Sequence, residues 1–188
     1  TLSRCFERRE RATFAFVLES AVPGPPVGTT LWIAGGPAPP AGLPEQLTTW
    51  LAAQATGTSG AASCGLVEFD SPRVRLFFDS VAVPHELLLV GGGPDALPVV
   101  EFGAALGWRV TVADHRPAYA EAVRFPRARR VLLSTPPELT QHLDLKQFDA
   151  AVVMSHHLAS DLAALAILAA TSIAYVGLLG PASRRQRL

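Results

Sequence analysis

The stretch Leu87–Pro117, "LLLVGGGPDALPVVEFGAALGWRVTVADHRP", decides how the chain is read. An apolar strand runs into a glycine turn, then a helix-length apolar pattern, then a second strand that ends on an acid. That order describes half of a dinucleotide-binding fold. Gly91, Gly93 and Ala96 give G-x-G-x-x-A directly after the strand and at the opening of the helix. Gly91 permits the tight turn, Gly93 lets backbone approach a phosphate, and the small Ala96 lets the helix settle on the sheet. The helix N-terminus adds free N–H groups and a partial positive charge for an anion. Asp114 follows Gly91 by 23 residues, about where this pattern wants a ribose-binding acid. Arg116 is either a receptor for an extra phosphate or a solvated side chain, and the spacing does not choose. The plainer alternative for the whole turn is a glycine bend kept for topology alone.

Working outward, strand and helix patterns alternate through the rest of the C-terminal part. Strands are expected at Leu87–Val90, Arg109–Ala113, Arg130–Ser134, Ala150–Met154 and Ile173–Val176, with helices near 94–106, 117–123, 136–142 and 158–170. Several of these strands are near-continuous apolar runs, as in a parallel sheet covered on both faces. The expected fold is therefore α/β, a Rossmann-like doubly wound parallel sheet over 84–188, with its ligand at the carboxyl ends of the strands.

Residues 1–83 read differently, as a small α+β domain. Its β-like runs are 12–20, 28–35, 64–69 and 73–81, broken by "AVPGPPV" and "GPAPPAGLP". Proline lacks the N–H that a strand ladder needs, so these two segments are loops. Leu47, Trp50 and Leu51 share one helical face within 44–54. "AVPHE" (82–86) forms the hinge between the two parts.

Composition narrows the function classes. Sixteen basic and sixteen acidic residues give a formal net charge of zero, which argues against nucleic acid as the main partner. The cluster Arg184, Arg185 and Arg187 reads as a solvated helix face or tail. Cys5 and Cys64 are far apart without metal-ligand spacing, so neither a disulfide scaffold nor a structural zinc is expected, and a reducing cytoplasm fits. The charged start "TLSRCFERRERA" has no signal-peptide layout, and no apolar run is long enough to span a membrane.

The strand end "MSHH" (154–157) is the second place where chemistry could reside. One of His156 and His157 is expected to face the ligand crevice and the other to face away. Ser155, His156 and Asp161 could be read as a catalytic triad, but no nucleophile elbow surrounds Ser155. Ser155 also suits a helix N-cap. The two histidines lack the carboxylate or thiolate company of a metal site. "YVGLLGPASRR" (175–185) ends the last strand with Gly177 and Gly180, read as a second glycine loop on the same sheet edge.

Taken together, "LLLVGGGPDA", "WRVTVADHRP", "RFPRARRV", "FDAAVVMSHHLASDLAALAIL" and "AYVGLLGPASRR" resemble the XdhC/CoxI family, the xanthine dehydrogenase accessory factors, over about the last hundred residues. The resemblance implies a small N-terminal domain followed by a Rossmann domain. It also implies a non-catalytic role: binding molybdenum cofactor (molybdopterin), assisting its sulfuration with a cysteine desulfurase, and delivering it to the apoenzyme of a xanthine dehydrogenase-type molybdenum hydroxylase. The positions it carries over are Gly91, Gly93, Asp114, Arg116, His156, Asp161, Gly177 and Gly180. Two departures stand out: Pro94 replaces the histidine usual after the first glycine turn, and Gly35-Gly36 is followed by Pro37 and not by cysteine. Cys64-Gly65 resembles a later Cys-Gly of the family. Two other readings stay open, an NAD(P)-dependent oxidoreductase and a regulatory nucleotide-binding protein. A homodimer is expected to cover Phe14, Phe16 and Trp32 of the small domain.

Overall fold

Every side chain of the strand Glu86–Val90 is buried, which only a central strand covered on both faces achieves. The computed structural model describes residues 2–21, 25–34, 36–55, 64–70 and 73–181. Within them the chain divides into two compact units, Thr1–Val83 and Pro84–Leu188.

The first unit holds α1 (Leu2–Arg8), β1 (Ala12–Ser20), β2 (Thr30–Ala34), α2 (Glu45–Ala55), β3 (Cys64–Asp70) and β4 (Arg73–Val81). Helix α1 has no counterpart in the sequence reading, because its residues read as a charged run. The strands form an antiparallel sheet in the order β2-β1-β4-β3. Ala15, Val17, Leu31, Val74, Leu76 and Phe78 cover one face with Leu47 and Leu51 of α2. The opposite face carries Phe14 against Trp32 (ring centroids 5.6 Å apart) and Phe16 (5.2 Å). Cys5 is buried and Cys64 exposed. Among the described residues, no helix is long and apolar enough to cross a membrane. Gly35 and the arginines 184, 185 and 187 lie outside the described residues.

The second unit contains β5 (Glu86–Val90), α3 (Ala96–Ala105), β6 (Arg109–Asp114), β7 (Arg130–Leu133), the single turn α4 (Leu139–His142), β8 (Ala150–Val153), α5 (Leu158–Ala169) and β9 (Tyr175–Leu178). The five strands are all parallel, in the order β7-β6-β5-β8-β9. This is a doubly wound Rossmann-like sheet whose order reverses between β5 and β8, where such sheets bind ligands. Alternation along β5 builds two cores. Leu87 and Leu89 pack with Ala96 and Val100 of α3, while Leu88 and Val90 pack with Ala164 and Leu168 of α5.

Two helical expectations are corrected. The segment 117–123 is not a helix but two 3-10 turns, Pro117–Tyr119 and Ala122–Arg124, with extended Glu121 between them (φ −99°, ψ 125°). Pro126 then disfavours helical backbone at Phe125, whose φ is −129°. The segment 136–142 begins as a 3-10 turn closed by a Thr135–Glu138 capping box, and only its last four residues are α-helical. A third correction concerns β9, which starts at Tyr175, so Gly177 pairs with Val152 inside the sheet and is not in a loop.

Candidate functional site

The glycine turn takes its shape from what presses on it. Gly91 has φ +127°, and a Cβ there would lie 2.5 Å from the Met154 carbonyl carbon and the Ser155 nitrogen. The turn therefore packs directly against the end of β8, and only glycine fits. Gly91 N–H donates to the Ala113 carbonyl (2.8 Å), which ties the turn to β6. At Gly92 a Cβ would meet the Tyr119 carbonyl oxygen at 2.4 Å. Its N–H donates to Asp114 Oδ2 (2.7 Å), and its carbonyl accepts from Arg124 Nη1 (3.1 Å). Both sides of this residue are thus held by hydrogen bonds. Ala96 is fully buried against the sheet, the close helix approach that a small residue at this position allows.

Asp114 ends β6 and is buried. Its Oδ1 accepts from Arg116 N–H (2.8 Å) and Nε (2.9 Å), and its Oδ2 from Arg116 Nη2 (2.8 Å) and Gly92 N–H. A carboxylate offers about four acceptor positions, and all are taken. Burial pushes the Asp114 carboxyl up, but the hydrogen bonds from Arg116 and Gly92 outweigh it and hold its pKa below the usual carboxylate value. The same pairing raises Arg116. The Arg116 guanidinium lies 3.9 Å from the Tyr119 ring centroid, and that of Arg124 approaches the same ring at 4.9 Å. Arg116 is therefore not a freely solvated side chain. It is aimed by Asp114, and its Nη1 makes no hydrogen bond among the described residues.

From the adjacent strand end, His156 reaches the glycine turn. Its Nε2 lies 2.6 Å from Oδ2 of Asp95, a residue at the head of α3 that no sequence motif singles out. The His156 backbone is left-handed, φ +60°, which disfavours a side chain by about 1–2 kcal/mol. His157 turns elsewhere, accepting at Nδ1 from Ser160 N–H (3.3 Å) as the N-cap of α5. Ser155 is not that cap. Its buried hydroxyl donates to Asp161 Oδ1 (2.5 Å) and accepts from His157 N–H (3.2 Å). Asp161 is wholly buried and secures the β8–α5 turn from inside. Ser155 and His156 thus have different carboxylate partners, so no relay runs through Ser155, His156 and Asp161. Among the described residues no group of three His, Cys, Asp or Glu could hold a metal.

The arrangement brings Gly91, Gly93, Asp114, Arg116 and His156 together at the reversal point. Gly177 lies in β9 and Gly180 just after it, and that strand stands beyond β8. Asp95, Tyr119 and Arg124 join the site without having been expected there. An acid at the start of α3 is a usable signal for Asp95, but nothing local marks a tyrosine that stacks two arginines.

The chain is similar to known proteins in sequence and, separately, in fold. The family described as the XdhC Rossmann domain matches residues 87–188. A curated protein of Bacillus subtilis (strain 168), described as a probable xanthine dehydrogenase subunit, is 34% identical over 123 residues, 65% of this chain. The match spans 37% of that relative's length. Among solved structures, a xanthine dehydrogenase from Bacillus halodurans has a TM-score of 0.56 at 16% identity. The likeness, one of fold, covers 99% of this chain and 80% of that one.

Proposed function

The chain belongs to the XdhC family, and from that premise we propose that it binds molybdenum cofactor as cargo, assists its sulfuration with a cysteine desulfurase, and hands it to a xanthine dehydrogenase-type apoenzyme. The observation that carries this reading is the saturated Asp114 carboxylate. Dinucleotide sites use the acid at this position to hold ribose hydroxyls. Here a ribose diol would have to displace Arg116 or the Gly92 N–H. What remains open to a ligand is a guanidinium edge beside the N-terminus of α3, which suits a phosphate monoester such as the one molybdopterin carries.

In this reading Arg116 and the Leu97 N–H at the head of α3 hold the phosphate, since Ala96 N–H already donates to the Gly93 carbonyl and Pro98 has none, and Asp114 positions Arg116. His156 meets the oxygens of the cargo as a hydrogen-bond donor. Gly92, fixed by Asp114 and Arg124, keeps the shape of the turn beneath the phosphate. A second copy of the chain is proposed on the outer face of the first unit's sheet. There Phe16 and Leu66, joined through Phe77 in register, are 38% and 61% exposed. Sedimentation velocity checks that part, and a persistent monomer removes it.

The test of the cargo is a titration of the purified protein with released molybdenum cofactor, NADH and NADPH, repeated with Arg116→Ala. The expected result is cofactor binding that Arg116→Ala weakens at least about tenfold, the loss of one charge-assisted contact. Tight NADH or NADPH binding with turnover of a substrate would instead establish an oxidoreductase. Tight nucleotide binding without turnover would make the chain a nucleotide sensor.

A further inference from the structure

The open side of Gly93, the space its missing Cβ would leave to a phosphate, is already filled. A Cβ built there would lie 2.6 Å from Asp95 Oδ1. That oxygen is buried and accepts no hydrogen bond among the described residues, although it lies at the start of a ten-residue helix, because the Asp95 side chain makes no cap bond to the α3 N–H groups. A buried acceptor left without a donor is unfavourable and calls for an explanation. The other oxygen supplies it: Oδ2 lies 2.6 Å from His156 Nε2, and this contact holds the carboxylate down on the turn. His156 reaches it from a left-handed backbone position.

We propose that Asp95 is a specificity-determining residue of the glycine-turn seat: its carboxylate, held by His156, occupies the ligand's phosphate position and has to be displaced when cargo binds. This rests on the reading of the turn as an anion seat. Two anions cannot share the space over Gly93, since like charges at contact repel strongly in a partly desolvated site. The Asp95 side chain is 36% exposed, so a rotation of that one residue clears the seat. The same movement frees His156 to donate to the incoming phosphate, so one contact is exchanged for another. A small free anion gains too little elsewhere to drive the exchange. A large phosphate ester, with the rest of its surface in the crevice, does gain enough. The seat therefore discriminates against abundant inorganic phosphates without any loop having to close.

The experiment is calorimetric titration of the full chain with inorganic pyrophosphate, comparing the wild type with Asp95→Ala and Asp95→Asn. Asp95→Ala is expected to bind at least about tenfold more tightly than the wild type, and Asp95→Asn, which keeps the shape without the charge, to fall between. Adding Arg116→Ala to Asp95→Ala should abolish the gain. Near-UV circular dichroism checks each fold, and Asp95→Asn carries the comparison if Asp95→Ala does not fold. Equal affinity of the wild type and the Asp95 variants overturns the displacement while leaving the anion seat standing. A gain that survives Arg116→Ala overturns it too, because the anion then lies elsewhere. Absence of binding to wild type and variants alike removes the seat itself, and the proposal with it.

Discussion

Gly91 and Gly107 both have positive φ, +127° and +76°, but only the first has backbone against its missing Cβ. Gly107→Ala should therefore show backbone strain alone, about 1 kcal/mol. Gly91→Ala adds a clash with the end of β8 and should lose about 3 kcal/mol or more, measured by urea denaturation. Asp114 gives a second prediction at this scale. Asp114→Asn leaves Arg116 without its anion and should destabilise by about 2–3 kcal/mol, below the range for fully buried pairs because Arg116 is 35% exposed. The folded-state pKa of Asp114 lies below its usual 3.8. Its ionised form thus stabilises the fold fully above that value, and the contribution disappears as pH falls through the folded-state pKa. The stability gap between wild type and Asp114→Asn should be constant near neutrality and close below about pH 4. A gap independent of pH would mean the carboxylate charge has no part in it.

Among the elements, α3 is the most exacting, since it carries the glycine turn at its head and lies on β5 through Ala96. Ala96 is fully buried, so Ala96→Val should overpack that contact, lose about 1–3 kcal/mol, and lift the turn away from Arg116. The variant's melting temperature reads the first effect and its pyrophosphate affinity the second. Elements with strong local patterns are legible in the sequence. The apolar runs of β5, β6 and β8 are strands, and the glycine turn lies where G-x-G-x-x-A puts it. What the sequence hides has physical reasons. Helix α1 conceals a buried Cys5 in a charged segment. The 117–123 pattern is broken by backbone restrictions around Pro117 and Pro126 that apolar periodicity does not register. Two glycines in "YVGLLG" suggest a loop, but Gly177 is carried within β9 by its pairing with Val152. At the site, Asp114 and Arg116 are visible as candidates, but their mutual pairing is not. Asp95 escapes notice because its partner His156 is 61 residues away.

For the molecule as a whole, the two units have separate hydrophobic cores, so each has its own cooperative folding transition available. Within Pro84–Leu188 the strand order sets a sequence of events. β5 is made first and stands at the centre, with β6 and β7 added on one side and β8 and β9 on the other. The β5–β6–β7 half closes over short separations, whereas β8 returns to β5 across 63 residues, as between Leu87 and Ala150. Longer loops close more slowly, so the β8–β9 half docks last. Pulsed hydrogen exchange during refolding should protect the amides of β6 before those of β8, and simultaneous protection would contradict this order. The proposed ligand seat straddles the seam between the halves, with Arg116 on the early side and His156 on the late one. A half-folded nascent protein thus presents the glycine turn and Arg116 without the His156 contact that holds Asp95 over Gly93, so in the proposed reading discrimination against small anions belongs to finished chains.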